Sequence, residues 1–172
     1  MTTEIRAATP DDASALARLG ATTFDETFGH LYRPEDLQAF LEAGRTDEVY
    51  ARLIEDPDIL VMIAEAPGGE PVGYVVAGGC KLPLEVPDPG AGEVRELYVL
   101  ARHQGHRLGT RLLEAALSWL GERGRSPLYV GVWSENHGAQ RLYGRYGFTK
   151  VGEYDFPVGT HLDREFILKQ RA

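Results

Sequence analysis

Between Glu93 and Gly121 the chain passes from a β-branched and aromatic stretch, Glu93 to Val99, through a basic turn at Gly105 into a long apolar repeat. Leu108, Leu112, Leu113, Ala116, Leu117 and Leu120 recur at helical spacing, so the segment is predicted to be strand, turn and helix. Such a unit narrows the folds open to the chain, because the strand needs a sheet and the helix needs that sheet's face to cover its apolar side. The turn also has a chemistry. A helix start presents free N–H groups and the positive end of the helix dipole, which together attract anions. Arg102, His103, His106, Arg107 and Arg111 cluster there, although the 172-residue chain carries a net charge of -8. That local reversal fits a phosphate-bearing ligand, with a solvated basic helix start as the plainer reading.

Two nucleotide-binding patterns are poor fits. A Walker A loop needs G-x-x-x-x-G-K-[ST], which the sequence lacks. A dinucleotide fingerprint needs G-x-G-x-x-G within an alternating βαβ series. Gly105-His106-Arg107-Leu108-Gly109 does not supply it, and strands that read as antiparallel come first.

The remaining elements follow from period and punctuation. Ile5 to Ala8 reads as a strand, and Thr9-Pro10-Asp11-Asp12 opens a helix whose apolar face is Ala13, Leu16, Leu19, Phe24 and Phe28. A second helix runs from Arg33-Pro34 to Gly44, and a third from Asp47 to Glu55. Ile59 to Glu65 and Val72 to Ala77 form a hairpin, and a Pro- and Gly-rich loop, Pro83 to Gly92, is long enough to line a site. Leu128 to Trp133 is a buried strand, and Ala139, Leu142, Tyr143 and Tyr146 mark a short helix closed by Gly147. Phe148 to Tyr154 and Glu165 to Leu168 are the last strands. The order describes a mixed α/β or α+β fold in one domain, residues 1–172.

Composition excludes several classes. Hydrophobic residues make up 43% and charged residues 26%, a globular balance. The acidic net charge argues against nucleic acid as a partner. Cys80 is the sole cysteine, so no intramolecular disulfide or multi-cysteine zinc cluster is expected. Five histidines lack carboxylates at ligand spacing, and no metal is expected. Met1 to Asp12 does not read as a signal peptide, and Ile59 to Ala64 is too short for a membrane span, so the expected location is cytoplasmic.

Two blocks together resemble the GNAT superfamily of acetyl-CoA-dependent N-acetyltransferases. Gln104-Gly105-His106-Arg107-Leu108-Gly109, after Leu97-Tyr98-Val99, is similar to the pyrophosphate loop Q/R-x-x-G-x-G/A, with Arg107 at the central glycine. Val130 to Phe148 is similar to the family's second block, with Glu135-Asn136 and Ala139 matching E-N-x-x-A and Tyr143 to Phe148 matching Y-x-x-x-G-F. The resemblance spans Ile5 to Phe166 and implies a mixed central sheet of about seven strands with helices on both sides. Val151 to Gly159, Asp163, Thr27-Phe28 and Asp36 to Leu41 resemble the PaiA-type branch, which implies a polyamine as acetyl acceptor. A non-catalytic CoA-binding domain, and an enzyme acting on a peptide N-terminus or amino-sugar, are the alternatives. Dimers are common in the superfamily, so a homodimer is an expectation from the resemblance alone.

The resemblance also implies roles: direct attack of an amine on the thioester, with both substrates bound together. Tyr143 matches the tyrosine beside the CoA sulfur, where a hydroxyl can protonate the leaving thiolate; by periodicity alone it reads as a core aromatic. Asn136 matches a position near the pantetheine arm and reads equally well as a helix cap. Leu97 and Val99 match the strand that meets that arm, with the Val99 N–H as donor to the thioester carbonyl. Gln104, Gly105, His106, Arg107, Leu108, Gly109 and Thr110 are expected to hold the phosphates. The general base is left between Glu93, Glu96 and a water relay; without a bulge the two glutamates face opposite sides, and Arg95 would pair with Glu93 and lower its pKa. Phe24, Phe28, His30, Tyr32 and the loop from Leu82 to Gly92 are the acceptor-site candidates, against a plain reading as core and surface loop.

Overall fold

The first helices start where the sequence supplies their caps. In the computed structural model, which describes residues 2–171, a 3-10 turn at Pro10–Asp12 leads into α1 (Ala13–Phe28). The Asp12 carboxylate accepts the Thr9 N–H at 2.7 Å and the Arg6 guanidinium at 2.7 Å, which fixes the turn. Met1 and Ala172, the ends of the expected domain, lie outside the described residues. Pro34 opens α2 (Pro34–Gly44), where its missing N–H costs nothing. The Thr46 hydroxyl caps α3 (Asp47–Glu55) by accepting the Val49 N–H at 3.2 Å.

The strands are β1 (Glu4–Ala7), β2 (Leu60–Glu65), β3 (Pro71–Gly79), β4 (Gly92–Val99), β5 (Leu128–Trp133), β6 (Phe148–Val158) and β7 (His161–Gln170). They form one seven-stranded sheet in the order β1-β2-β3-β4-β5-β7-β6. Every neighbouring pair is antiparallel except β4 with β5. The remaining helices are α4 (Leu108–Glu122) and α5 (His137–Arg145). Tyr50 of α3 and Leu16 of α1 cover one face through Tyr74, while Leu112 of α4 packs over Gly73 and Val99 on the other. The expected mixed sheet with helices on both sides is therefore present. Leu16, Tyr50, Tyr74, Leu112, Leu113 and Leu120 are fully buried, and side chains of this size contribute roughly 1.5–3 kcal/mol each by leaving water.

Two departures from the sequence reading shape the site. The last two strands are longer than expected: β6 continues through Pro157 to Val158, and β7 begins at His161. Proline ends most strands because it lacks an N–H, but β6 is an edge strand and tolerates one. The second departure is a bulge. Val76 of β3 pairs with Glu96 and Ala77 with Val94, so Arg95 is an extra residue in β4. Glu93 then stands opposite Gly78 and Glu96 opposite Val76, two residues apart on β3, which puts both glutamates on one face.

Candidate active site

β4 and β5 diverge. Their parallel pairing covers only Gly92 to Val94 against Leu128 to Val130, although the strands run on to Val99 and Trp133. The Leu100 N–H bonds back to Val72 of β3 at 2.8 Å. Because strand amides alternate in direction, the Val99 and Leu97 N–H groups turn toward the opening beside β5. The Val99 carbonyl on that side accepts the Gln104 side-chain amide at 3.0 Å. The opening is thus edged by strand backbone that no neighbouring strand satisfies.

On the α4 side of the opening lies a cleft of about 450 Å³. Leu97, Tyr98 and Val99 form one wall, and Gln104, Gly105, Arg107, Leu108, Gly109 and Thr110 form its floor. Asn136, Ala139, Leu142 and Tyr143 of the β5–α5 segment close it. The first helical bond of α4 at this end runs from the Arg111 N–H to the Arg107 carbonyl, at 3.0 Å. The Leu108, Gly109 and Thr110 N–H groups therefore have no acceptor inside the helix and suit a phosphate. Arg107 and, from α5, Arg145 add positive charge.

A second cavity of about 120 Å³ is lined by residues that α1, the segments flanking α2, β4, β5 and the β6–β7 hairpin bring together. Its aromatic members are Phe24, Phe28, Tyr32, Tyr98, Tyr154 and Phe156. Its acids are Glu93, Asp163 and Glu165, and Arg45 and Arg95 also reach it. Tyr98, beside the strand opening, lines both cavities. Asp163 accepts the Tyr32 hydroxyl and bonds to His161 Nε2 at 2.9 Å. Burial, helped by the neighbouring Asp163 charge, pushes the Glu165 carboxyl up to about 7.

A strand opening beside a helix start that presents free amides, with a buried tyrosine across the cleft, agrees with a match in sequence: residues 23–148 fit the pattern of the acetyltransferase (GNAT) family. The chain belongs to the GNAT acetyltransferase family. It is 29% identical to an uncharacterized N-acetyltransferase of Lactobacillus delbrueckii subsp. lactis, over 92% of this chain and 91% of that protein. It is 27% identical to an uncharacterized N-acetyltransferase of Mycobacterium tuberculosis strain H37Rv, over 91% of this chain and 96% of that one. Its fold is similar to that of the PaiA N-acetyltransferase from Thermoplasma acidophilum, a structure in complex with coenzyme A. There the TM-score is 0.78, the identity 19%, and all of both chains are covered. This chain is accordingly an acyltransferase enzyme, an acetyl-CoA-dependent N-acetyltransferase.

Within this acetyltransferase the expected cofactor residues gather at the cleft, with His106 as the exception: it is exposed and lies off the lining. Of the five basic residues that mark the turn in sequence, only Arg107 lines the cleft. Arg102 pairs with Glu70, and Arg111 donates to the Thr3 carbonyl at 3.0 Å. Asn136 caps α5, its side-chain oxygen accepting the Ala139 N–H at 3.1 Å, and lines the cleft as well. Tyr143 is buried, and its hydroxyl pKa is raised first by that burial and then by Tyr98 and Glu165.

Arg107 has an unusual backbone. At the family's central glycine, it sits before the helix with φ 64° and ψ 16°, among the described residues the one non-glycine in the left-handed region. The family's glycine is thus replaced where a Cβ is unfavourable by roughly 1–2 kcal/mol. Arg107→Gly is expected to stabilise the fold by about 1 kcal/mol and raise the Tm by about 2–4 °C in thermal unfolding. An unchanged or lower Tm would show that the arginine's contacts outweigh its backbone strain.

Of the acceptor-site candidates, Phe24, Phe28 and Tyr32 line the second cavity. His30 does not; its ring lies 6.5 Å from that of Trp133. Only Leu82 of the loop from Leu82 to Gly92 reaches it. The expected Arg95–Glu93 pair is not formed. Arg95 donates to the Gly79 carbonyl at 2.6 and 3.1 Å, and Glu93 accepts the Lys81 N–H at 2.8 Å. Burial outweighs both that bond and the Arg95 charge, so the Glu93 pKa is raised rather than lowered. Glu96 accepts the Tyr50 and Tyr74 hydroxyls at 2.8 and 2.7 Å and lies 3.6 Å from Arg45. Sequence reasoning missed Arg45, Arg145 and Glu165, which carry no local motif, and used Asp163 only as a branch marker. Among the described residues no helix is long and apolar enough to cross a membrane, and no group of three or more His, Cys, Asp or Glu is placed to hold a metal.

Proposed function

We propose that this enzyme acetylates the terminal amine of a linear, cationic acceptor of the polyamine type. The observation that carries the reading is the pair of cavities that share Tyr98 as a wall. One has the phosphate-binding character of a helix start, and the other is small, aromatic and acidic. A volume of about 120 Å³ holds roughly four water-sized groups, which suits the end of an alkylamine better than a sugar ring. Aromatic faces and carboxylates both attract an ammonium group.

Acetyl-CoA would lie in the larger cleft with its pyrophosphate at the start of α4 and its pantetheine arm along Leu97 and Val99. The Val99 N–H then donates to the thioester carbonyl as negative charge develops on it. Holding both substrates at the opening turns the transfer into a reaction between positioned neighbours. The amine nitrogen forms the new C–N bond, the C–S bond breaks, and Tyr143 gives its proton to the thiolate. Arg107 adds a charge-assisted contact to phosphate, and Arg107→Ala is expected to weaken acetyl-CoA about tenfold by calorimetry. Unchanged affinity would remove Arg107 from the phosphate site.

Thiol release from acetyl-CoA should be measured against spermidine, spermine, amino-sugars and short peptides. Turnover with the polyamines and little with the others supports the acceptor class. Preference for a peptide N-terminus or an amino-sugar would replace it. Glu96 is enclosed by its hydrogen bonds, so of the two glutamates of β4 only Glu93 lines the second cavity.

A further inference from the structure

We propose that Glu165 of β7, rather than either glutamate of β4, takes the proton from the attacking amine. The inference rests on the proposed transfer between the two cavities and assigns its proton acceptor. Four carboxylates stand in or behind the second cavity, and three are already engaged. Glu96 is held by two tyrosine hydroxyls and Arg45. Asp163 is held by Tyr32 and His161. Glu93 accepts the Lys81 N–H at 2.8 Å. Glu165 Oε2 is shielded from solvent and has no hydrogen-bond partner among the described residues. A buried, unpartnered carboxylate oxygen costs free energy wherever it is kept, so it marks a position awaiting a donor.

Its location fits that use. Glu165 pairs with Trp133, the last residue of β5, and with Tyr154 of β6, which places it at the end of the sheet where β4 and β5 have separated. Gly131, two residues before Trp133, keeps the cavity open: a Cβ there would meet Leu82 at 3.0 Å and the Tyr154 hydroxyl at 3.1 Å. The Glu165 charge is close enough to Tyr98, Tyr143 and Tyr154 to raise all three hydroxyls, whereas the Glu93 charge acts on Tyr154, less than Glu165 does, and on Cys80. Glu165 is thus in electrostatic reach of the thiolate's proton donor.

The proton balance closes. The acceptor arrives as an ammonium ion and gives one proton to Glu165, which later passes it to solvent. The neutral nitrogen attacks, the C–S bond breaks, and the Tyr143 proton goes to sulfur. The second nitrogen proton restores Tyr143. The sum is an amide, the free thiol of CoA and one released proton.

The groups facing Glu165 are Asp163 on its own strand, Glu93, Arg95 and Tyr98 on β4, and Tyr154 on β6. Tyr32 and Arg45 close the helical side. As a proton acceptor Glu165 must be ionised, so kcat/KM is expected to fall as pH drops below about 7.

The test compares Glu165→Gln with Glu93→Gln in thiol release across pH, with acetyl-CoA affinity by calorimetry as the folding control. A second readout is the carboxyl titration of the intact protein by carbon-13 NMR, assigned by the signal lost in Glu165→Gln. The expected result is a kcat at least a hundredfold lower in Glu165→Gln, acetyl-CoA affinity unchanged, the acidic limb gone, and a Glu165 carboxyl that titrates near neutrality. A loss below threefold, or an acidic limb that survives in Glu165→Gln and vanishes in Glu93→Gln, overturns the assignment. A wild type that binds acetyl-CoA but acetylates no amine refutes the proposed acceptor instead. In that case a Glu165 carboxyl titrating below pH 5 overturns the present inference as well, and one titrating near neutrality supports it.

Discussion

Tyr143→Phe is expected to lower kcat by about a hundredfold or more while leaving the fold and acetyl-CoA affinity intact. The phenol is 6% exposed, and its ring centroid is 6.1 Å from that of Phe148 in an edge-to-face arrangement. Phenylalanine preserves that packing, so the change removes a hydroxyl and little else. Burial raises the Tyr143 pKa, and the Tyr98 and Glu165 charges add to it. A phenol raised in this way stays protonated through neutral pH and is ready to donate to a departing thiolate. The check is steady-state thiol release alongside calorimetric binding and thermal unfolding. A kcat within a few-fold of wild type, with binding unchanged, would reduce Tyr143 to a wall of the cleft.

Glu96→Ala is expected to act on stability, with a loss of about 3 kcal/mol. Its side chain is 17% exposed and that of Arg45 is 12% exposed, at a separation of 3.6 Å. Arg45 also lies 5.5 Å from the Phe24 ring centroid and 5.6 Å from that of Phe40. Removing the carboxylate strands a mostly buried guanidinium and takes the shared acceptor from Tyr50 and Tyr74, whose hydroxyls remain 3.1 Å apart. For a chain of this size the Tm should fall by about 6–12 °C, while kcat per folded molecule is retained. Glu96→Gln keeps an acceptor for the tyrosines, loses only the charge, and should cost less. A collapse in kcat with little change in Tm would return Glu96 to the catalytic role that its position in β4 allows.

Much of the fold and the α4 side of the cleft was legible because it is local. The leucine stripe from Leu108 to Leu120, the Gly105 turn before it and the Asn136 cap involve neighbours within a few residues, where periodicity and turn chemistry act directly. The second cavity was less legible. Phe24 and Phe28 stand out on helical spacing, but nothing near Glu165 in the chain marks it as different from the exposed acids.

By itself the sequence determined the order of elements, the apolar faces that make a covered sheet favourable, and the residues flanking the α4 helix start. Tertiary structure decided the rest, through pairings between distant segments. The bulge at Arg95 turned Glu93 and Glu96 to one face, and it is visible only in the register with β3. The left-handed Arg107 is set by the path from β4 into α4. The strand order β4-β5-β7-β6 carried Asp163 and Glu165 to the cavity that Phe24 and Arg45 enter from the helices. Whether a carboxylate is screened, paired or left buried without a partner depends on which strands and helices enclose it, and that burial is a property of packing that no local window of residues contains.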